Sequence, residues 1–131
     1  MGNFVTAYAL LTDFLKFHGH ERVFREPPPN LLHAVPLLVV ARFGGVDTAV
    51  TIDRPRVQVD VYASTEDTAE QLGGTIRTLM RTRLPGRMFG GAVVGQVGTM
   101  MAPQLLPYAA SGVFKVSARY ELAVHQYTGI S

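Results

Sequence analysis

Residues 113–125 read Val-Phe-Lys-Val-Ser-Ala-Arg-Tyr-Glu-Leu-Ala-Val-His, and their alternation decides the fold. Phe114, Val116, Ala118, Tyr120, Leu122 and Val124 fall on one side. Lys115, Ser117, Arg119, Glu121, Ala123 and His125 fall on the other. A period of two, held this long, describes a strand with one face on a core and the other toward water or a partner. Val57 to Tyr62 repeats the pattern, with Val57, Val59 and Val61 set against Gln58, Asp60 and Tyr62. Two such strands need a second layer to cover their apolar face.

Two segments with helical spacing supply that layer. The first runs from an Asn3 cap to about Phe17, with Phe4, Tyr8, Leu11 and Leu15 in line, Ala7, Leu10 and Phe14 beside them, and Gly19 as the stop. The second starts at Ser64, with Asp67 three residues on in capping-box fashion, and carries Ala69, Leu72, Ile76, Leu79 and Met80 as its apolar stripe. Glu66, Asp67 and Glu70 lie near its start and Arg77, Arg81 and Arg83 near its end, as the helix dipole favours. Gly73-Gly74 interrupts it at a cost of about 1 kcal/mol per glycine relative to alanine, which predicts close approach of another backbone. Pro85-Gly86 ends it.

Between and after the helices, Pro27-Pro28-Pro29 predicts a stiff surface crossing. Pro36 to Phe43 reads as a buried strand halted by Gly44-Gly45, and Val46 to Arg56 as a polar excursion. Gly91 to Met101 reads as extended, with Pro103 and Pro107 bracketing a loop. The order is helix-strand-strand-helix-strand-strand. The expected fold is α/β (α+β): one compact domain over residues 1–131, with a sheet of about four strands and the helices packed on one face. Val59, Val61, Leu72, Ile76, Tyr120 and Leu122 are the expected core.

Composition narrows the function. Apolar residues make up 47% and charged residues 17% of 131, the reverse of a disordered chain. The net charge of +2 is too small for a general nucleic-acid footprint. Apart from Lys16 and Lys115 the 12 basic residues are arginine, which suits planar contacts and interface ion pairs. Without cysteine there is no thiolate zinc site, disulfide framework or cysteine nucleophile. The apolar run from Ala34 to Phe43 is too short to span a bilayer, and the first residues lack the basic start and apolar core of a signal peptide. Met1 to Thr6 fits only the loose myristoylation pattern.

No candidate chemistry is complete. His18, His20 and Glu21 offer an unfinished metal set, and loop polarity explains them as well. Asp53 and Asp60 lack a nucleophile or oxyanion site, so ion pairing with Arg54, Arg56 or Arg119 is the simpler reading. Gly90, Gly91, Gly95 and Gly98 are followed by neither Lys-Ser nor Lys-Thr, so they fit a closely packed or kinked strand better than a phosphate loop. Arg77, Arg81, Arg83 and Arg87 form a basic cluster with poor aromatic interleaving. That suits dipole complement and subunit salt bridges better than single-strand binding. No catalytic, cofactor or metal residues are assigned.

The landmarks together resemble the tail terminator (tail completion) proteins of long-tailed bacteriophages, over nearly the whole chain. They are the N-terminal helix leading to Glu26-Pro27-Pro28-Pro29-Asn30-Leu31; Pro36-Leu37-Leu38-Val39-Val40-Ala41-Arg42-Phe43 before Gly44-Gly45; Asp53-Arg54-Pro55-Arg56-Val57-Gln58-Val59-Asp60-Val61-Tyr62-Ala63; and Tyr120-Glu121-Leu122-Ala123-Val124. Gly73-Gly74 and the sparsely charged strand from Gly91 to Met101 depart from the family pattern. The resemblance implies a non-enzymatic virion protein, assembled in the host cytoplasm. It forms a ring with itself, a hexamer by family habit, which caps the tail tube, stops its growth and joins the head. Its partners are then the tail tube protein and a head-completion or connector protein. DNA only passes through the lumen, and there is neither a cofactor nor a membrane contact. Ring closure needs two different patches on each subunit. Charge alone suggests Asp47, Asp53 and Asp60 for one and Arg77, Arg81, Arg83 and Arg87 for the other. Another neck protein, or a small monomeric α/β enzyme or nucleic-acid-binding module, fits the same residues.

Overall fold

The structure, a computed structural model, describes residues 5–49, 52–106 and 112–126. Its elements are α1 (Ala7–Phe17), β1 (Val23–Phe24), α2 (Leu31–Ala34), β2 (Leu37–Ala49), β3 (Ile52–Ala63), α3 (Glu66–Thr82), β4 (Met88–Phe89), β5 (Ala92–Leu106) and β6 (Phe114–Gln126). They form a mixed α and β domain around a six-stranded sheet in the order β1-β2-β3-β6-β5-β4. Four long strands make its body, and the additional strands β1 and β4 are two-residue flanks. Among the described residues only β1 and β2 pair in parallel; every other pair is antiparallel.

The alternation seen in the sequence sets the pleat. Val57 pairs with Tyr120, Val59 with Ala118 and Val61 with Val116, and Leu38 and Val40 join the same face from β2. α1 and α3 both cover this face. α1 contributes Leu10, Leu11, Phe14 and Leu15, and α3 contributes Ala69, Ile76 and Met80. Full burial of each large side chain contributes about 1.5–3 kcal/mol, so this face holds the molecule together. α2 had no signal in the sequence. It lies on the opposite face, where Leu31 and Ala34 pack with Leu37, Val39, Tyr62 and Val113.

Several boundaries differ from the sequence reading. α1 is capped by Thr6, whose hydroxyl accepts from the Ala9 amide at 3.1 Å; Asn3 lies outside the described residues. Thr65, not Ser64, caps α3, accepting from the Thr68 amide at 3.1 Å. Gly44-Gly45 does not stop β2. The strand bulges there and continues to Ala49, so the polar excursion is a hairpin arm whose register shifts between Arg42 and Gly44. Gly45 has φ of +114°, and a Cβ there would strike the Arg54 carbonyl, so neither conformation nor space admits a side chain. Pro103 lies inside β5, at a further register shift between Met101 and Gln104, rather than in a loop; Pro107 lies outside the described residues. Leu72 is half-buried beside the core, not within it.

The paired glycines of α3 have different roles. Gly73 is buried, and a Cβ there would sit 2.8 Å from Cγ1 of Val116 and 3.4 Å from Pro103. The close approach is thus made by side chains of β6 and β5, not by a backbone. Gly74 faces outward, and a Cβ added there would meet nothing within 4 Å. Gly74→Ala should raise stability by about 1 kcal/mol through helix propensity. Gly73→Ala should lower it, because the crowding at Val116 outweighs that gain. Melting temperatures that move in the same direction would refute this division.

Candidate functional site

The candidate acidic patch is divided by the fold. Asp53 makes a bidentate pair with Arg42, at 2.8 and 2.9 Å, on the hairpin arm. None of Arg54, Arg56 and Arg119 is its partner. Asp60 is buried on the second face of the sheet, contrary to the expectation of an outward carboxylate. It accepts from Gln58 Nε2 at 2.9 Å and from the Ser117 hydroxyl, with Lys115 Nζ at 3.7 Å. Asp47 pairs by backbone with Asp53 across the hairpin; its side chain lies outside the described residues. Asp53 and Asp60 are therefore occupied within the subunit.

The arginine cluster separates as well. Arg87 reaches back to α1, bonding Asp13 at 2.7 Å with its guanidinium 4.5 Å above the Phe17 ring. Arg77 is half-buried, and its Nε has no hydrogen-bond partner among the described residues. It lies near Tyr120, whose phenol is pushed up to about 12 by burial while the Arg77 charge pulls the other way. Arg81 and Arg83 are exposed and make no ion pair among the described residues. The histidine pair is also partly packed. His18 caps the end of α1 with its ring edge-on to Phe14 and Phe17, and burial, then the neighbouring His18, lowers the pKa of His20. Gly90 turns the chain between β4 and β5, and Gly95 and Gly98 lie within β5.

Two features gave no residue-level signal. The first is a pair of long sheet edges. β2 has 13 residues and β5 has 15, yet β1 covers β2 only at Leu38 and Val39, and β4 covers β5 only at Ala92 and Val93. Among the described residues, Val40 to Ala49 of β2 and Gln96 to Leu106 of β5 have no outer strand partner. Unpaired edges template further pairing unless blunted. Both carry bulges, β2 exposes Phe43 and Val46, and β5 exposes Met100 and Leu105. A cleft of about 650 Å³ opens beside the β2 edge, between the start of α1, Arg25 and the Arg42–Asp53 pair.

The second is the polar face of the sheet. Arg119 donates to Gln58 at 2.9 Å and lies 4.7 Å over the Phe43 ring, and Arg56 meets Glu121 at 3.3 Å. With the Asp60 network, these contacts form a cross-strand lattice over β3 and β6. Arg54, Arg56, Lys115 and Arg119 outnumber Asp60 and Glu121 there. Among the described residues no group of three or more His, Asp or Glu is placed to hold a metal ion. No helix among the described residues is long and apolar enough to cross a membrane. Comparison of the sequence with protein-family models gives no match, and comparison with curated proteins gives none either.

Proposed function

We propose that the chain is a structural subunit of a phage tail-terminator ring, with no catalytic step of its own. The ring ends growth of the tail tube and presents the surface for joining the head. The observation that carries this reading is the pair of open edges. β2, β3, β6 and β5 alternate in direction, so β2 and β5 run opposite ways. A β5 edge meeting the β2 edge of the next copy continues the antiparallel ladder. The two edges are different surfaces, so the contact is heterologous, the kind that builds a ring when the rotation between copies closes. Closure also removes the exposed edges, as it does in a barrel. In such a ring the α1–α3 layer and the polar lattice lie on opposite sides of a continuous sheet. The polar side, with its excess of arginine and lysine, suits a lumen through which DNA passes. The interface thus moves from the charge pairing first suggested to strand edges. The cleft beside β2 becomes a socket for the incoming subunit.

A phage with a nonsense codon in this gene should yield heads and tails that fail to join, with tubes that overgrow. Joined virions with tails of normal length would reject the reading. At the level of the subunit, Val46→Lys on β2 or Met100→Lys on β5 should abolish ring particles in electron micrographs. Both side chains are exposed, at 68% and 47%, so the monomer should lose no more than about 0.5 kcal/mol. Rings that form normally with both substitutions would place the contact elsewhere.

A further inference from the structure

We propose that the outward face of α3 is a self-complementary contact for a second copy of this chain, packed antiparallel across a two-fold axis at Gly74. α3 runs from Glu66 to Thr82, so Gly74 is its midpoint. At 3.6 residues per turn, Asp67, Glu70, Gly74, Arg77 and Arg81 fall within about 60° of one line along the helix. That line is acidic before the glycine and basic after it. Its charges have no partners on their own helix. The positions three and four residues after Asp67 hold Glu70 and Gln71, and those after Glu70 hold Gly73 and Gly74. Asp67 and Arg81 stand about 21 Å apart along the axis, too far to meet. No ion pair of Asp67, Glu70, Arg77 or Arg81 exists among the described residues.

The helix dipole accounts for acids first and arginines last. It does not account for an outward glycine at the midpoint, where helix propensity disfavours one. Nor does it account for the basin of about 460 Å³ lined by Gly74, Arg77, Thr78, Arg81 and Thr82. Thr78 and Thr82 donate to the Gly74 and Thr78 carbonyls, which leaves the two arginines as the charged groups of the basin. A second α3 laid antiparallel across Gly74 sets Asp67 of each copy beside Arg81 of the other, and Glu70 beside Arg77. The missing Cβ lets the two axes approach. One operation gives every charge of the stripe a partner and makes each pair twice, which is the property of an isologous contact. Such a contact makes pairs and closes no ring, so it stands apart from the edge pairing proposed above.

Sedimentation of the full chain over a concentration series at low salt reads the contact. The wild type should show a two-copy association that persists in Val46→Lys, where the edge contact is lost. Asp67→Arg alone and Arg81→Asp alone should each weaken the dimer by about tenfold or more, through like-charge repulsion at both symmetric pairs. The two together should restore it, because the exchange rebuilds both pairs. Gly74→Gln should keep the circular dichroism spectrum and weaken the dimer by a similar factor. A wild type that is monomeric at every concentration would overturn the proposal, whether solvent or another protein covers α3. So would a dimer indifferent to the single substitutions, or one that the exchange fails to restore. Hexameric rings without dimers would also overturn it while leaving the terminator reading standing.

Discussion

Tyr120→Ala is expected to lower the unfolding free energy by about 3–5 kcal/mol, a large share of what a domain of this size possesses. Tyr120 is fully buried between the sheet and α3, in the cluster that holds Val57, Ile76 and Leu122. Tyr120→Phe should do the opposite. The Tyr120 hydroxyl has no hydrogen-bond partner among the described residues, so its removal relieves a desolvated polar group and should raise stability by about 1 kcal/mol. Urea titration of the two variants against wild type checks both signs. Alkaline pH gives a third reading of the same residue. The folded state holds the phenol proton up to about pH 12, whereas an unfolded tyrosine releases it near 10. The folded protein therefore binds more protons in that window. The stability this residue contributes is present below pH 10 and is lost as pH rises toward 12. The slope should be shallower in Tyr120→Phe; an unchanged slope would mean that Tyr120 titrates as if exposed.

Asp60→Ala is expected to cost about 3–5 kcal/mol in the isolated subunit, because it breaks a buried charged network by removing one member. Ser117 is fully buried, and the Lys115 side chain is 22% exposed, so neither regains full hydration when the carboxylate is lost. Asp53→Ala is the control. Its partner Arg42 is 39% exposed, and a surface pair of this kind contributes about 0–1 kcal/mol. If Asp60 were instead a contact between subunits, its loss would spare the monomer and damage only assembly. Equal melting temperatures for Asp60→Ala and wild type would favour that alternative.

The α1 and α3 stripes, the alternation of β3 and β6 and the shared core of Val59, Val61, Ile76, Tyr120 and Leu122 were legible in the residues. Each is a local period repeated over enough positions to identify one face. The flanking strands β1 and β4 and the helix α2 were not. Segments of two to four residues carry no period, and they form because a long neighbour offers a ladder or an apolar patch. The glycines and prolines misled for a related reason. Gly44-Gly45 and Pro103 read as breaks, but a strand paired on one side absorbs them as bulges.

The sequence by itself determined the fold class, the covered face and the polarity of α3, because periodicity and charge order are properties of the chain. Only the tertiary structure decided which charges remain available. Asp13 and Arg87 are 74 residues apart, Asp60 and Ser117 are 57 apart, and each acts as the other's neighbour once the sheet and α1 have closed. It also decided that β6 enters between β3 and β5, leaving β2 and β5 as the long outer strands. Strand order depends on which distant segments bury the most apolar surface together. No local pattern encodes that choice, and the proposed ring rests on it.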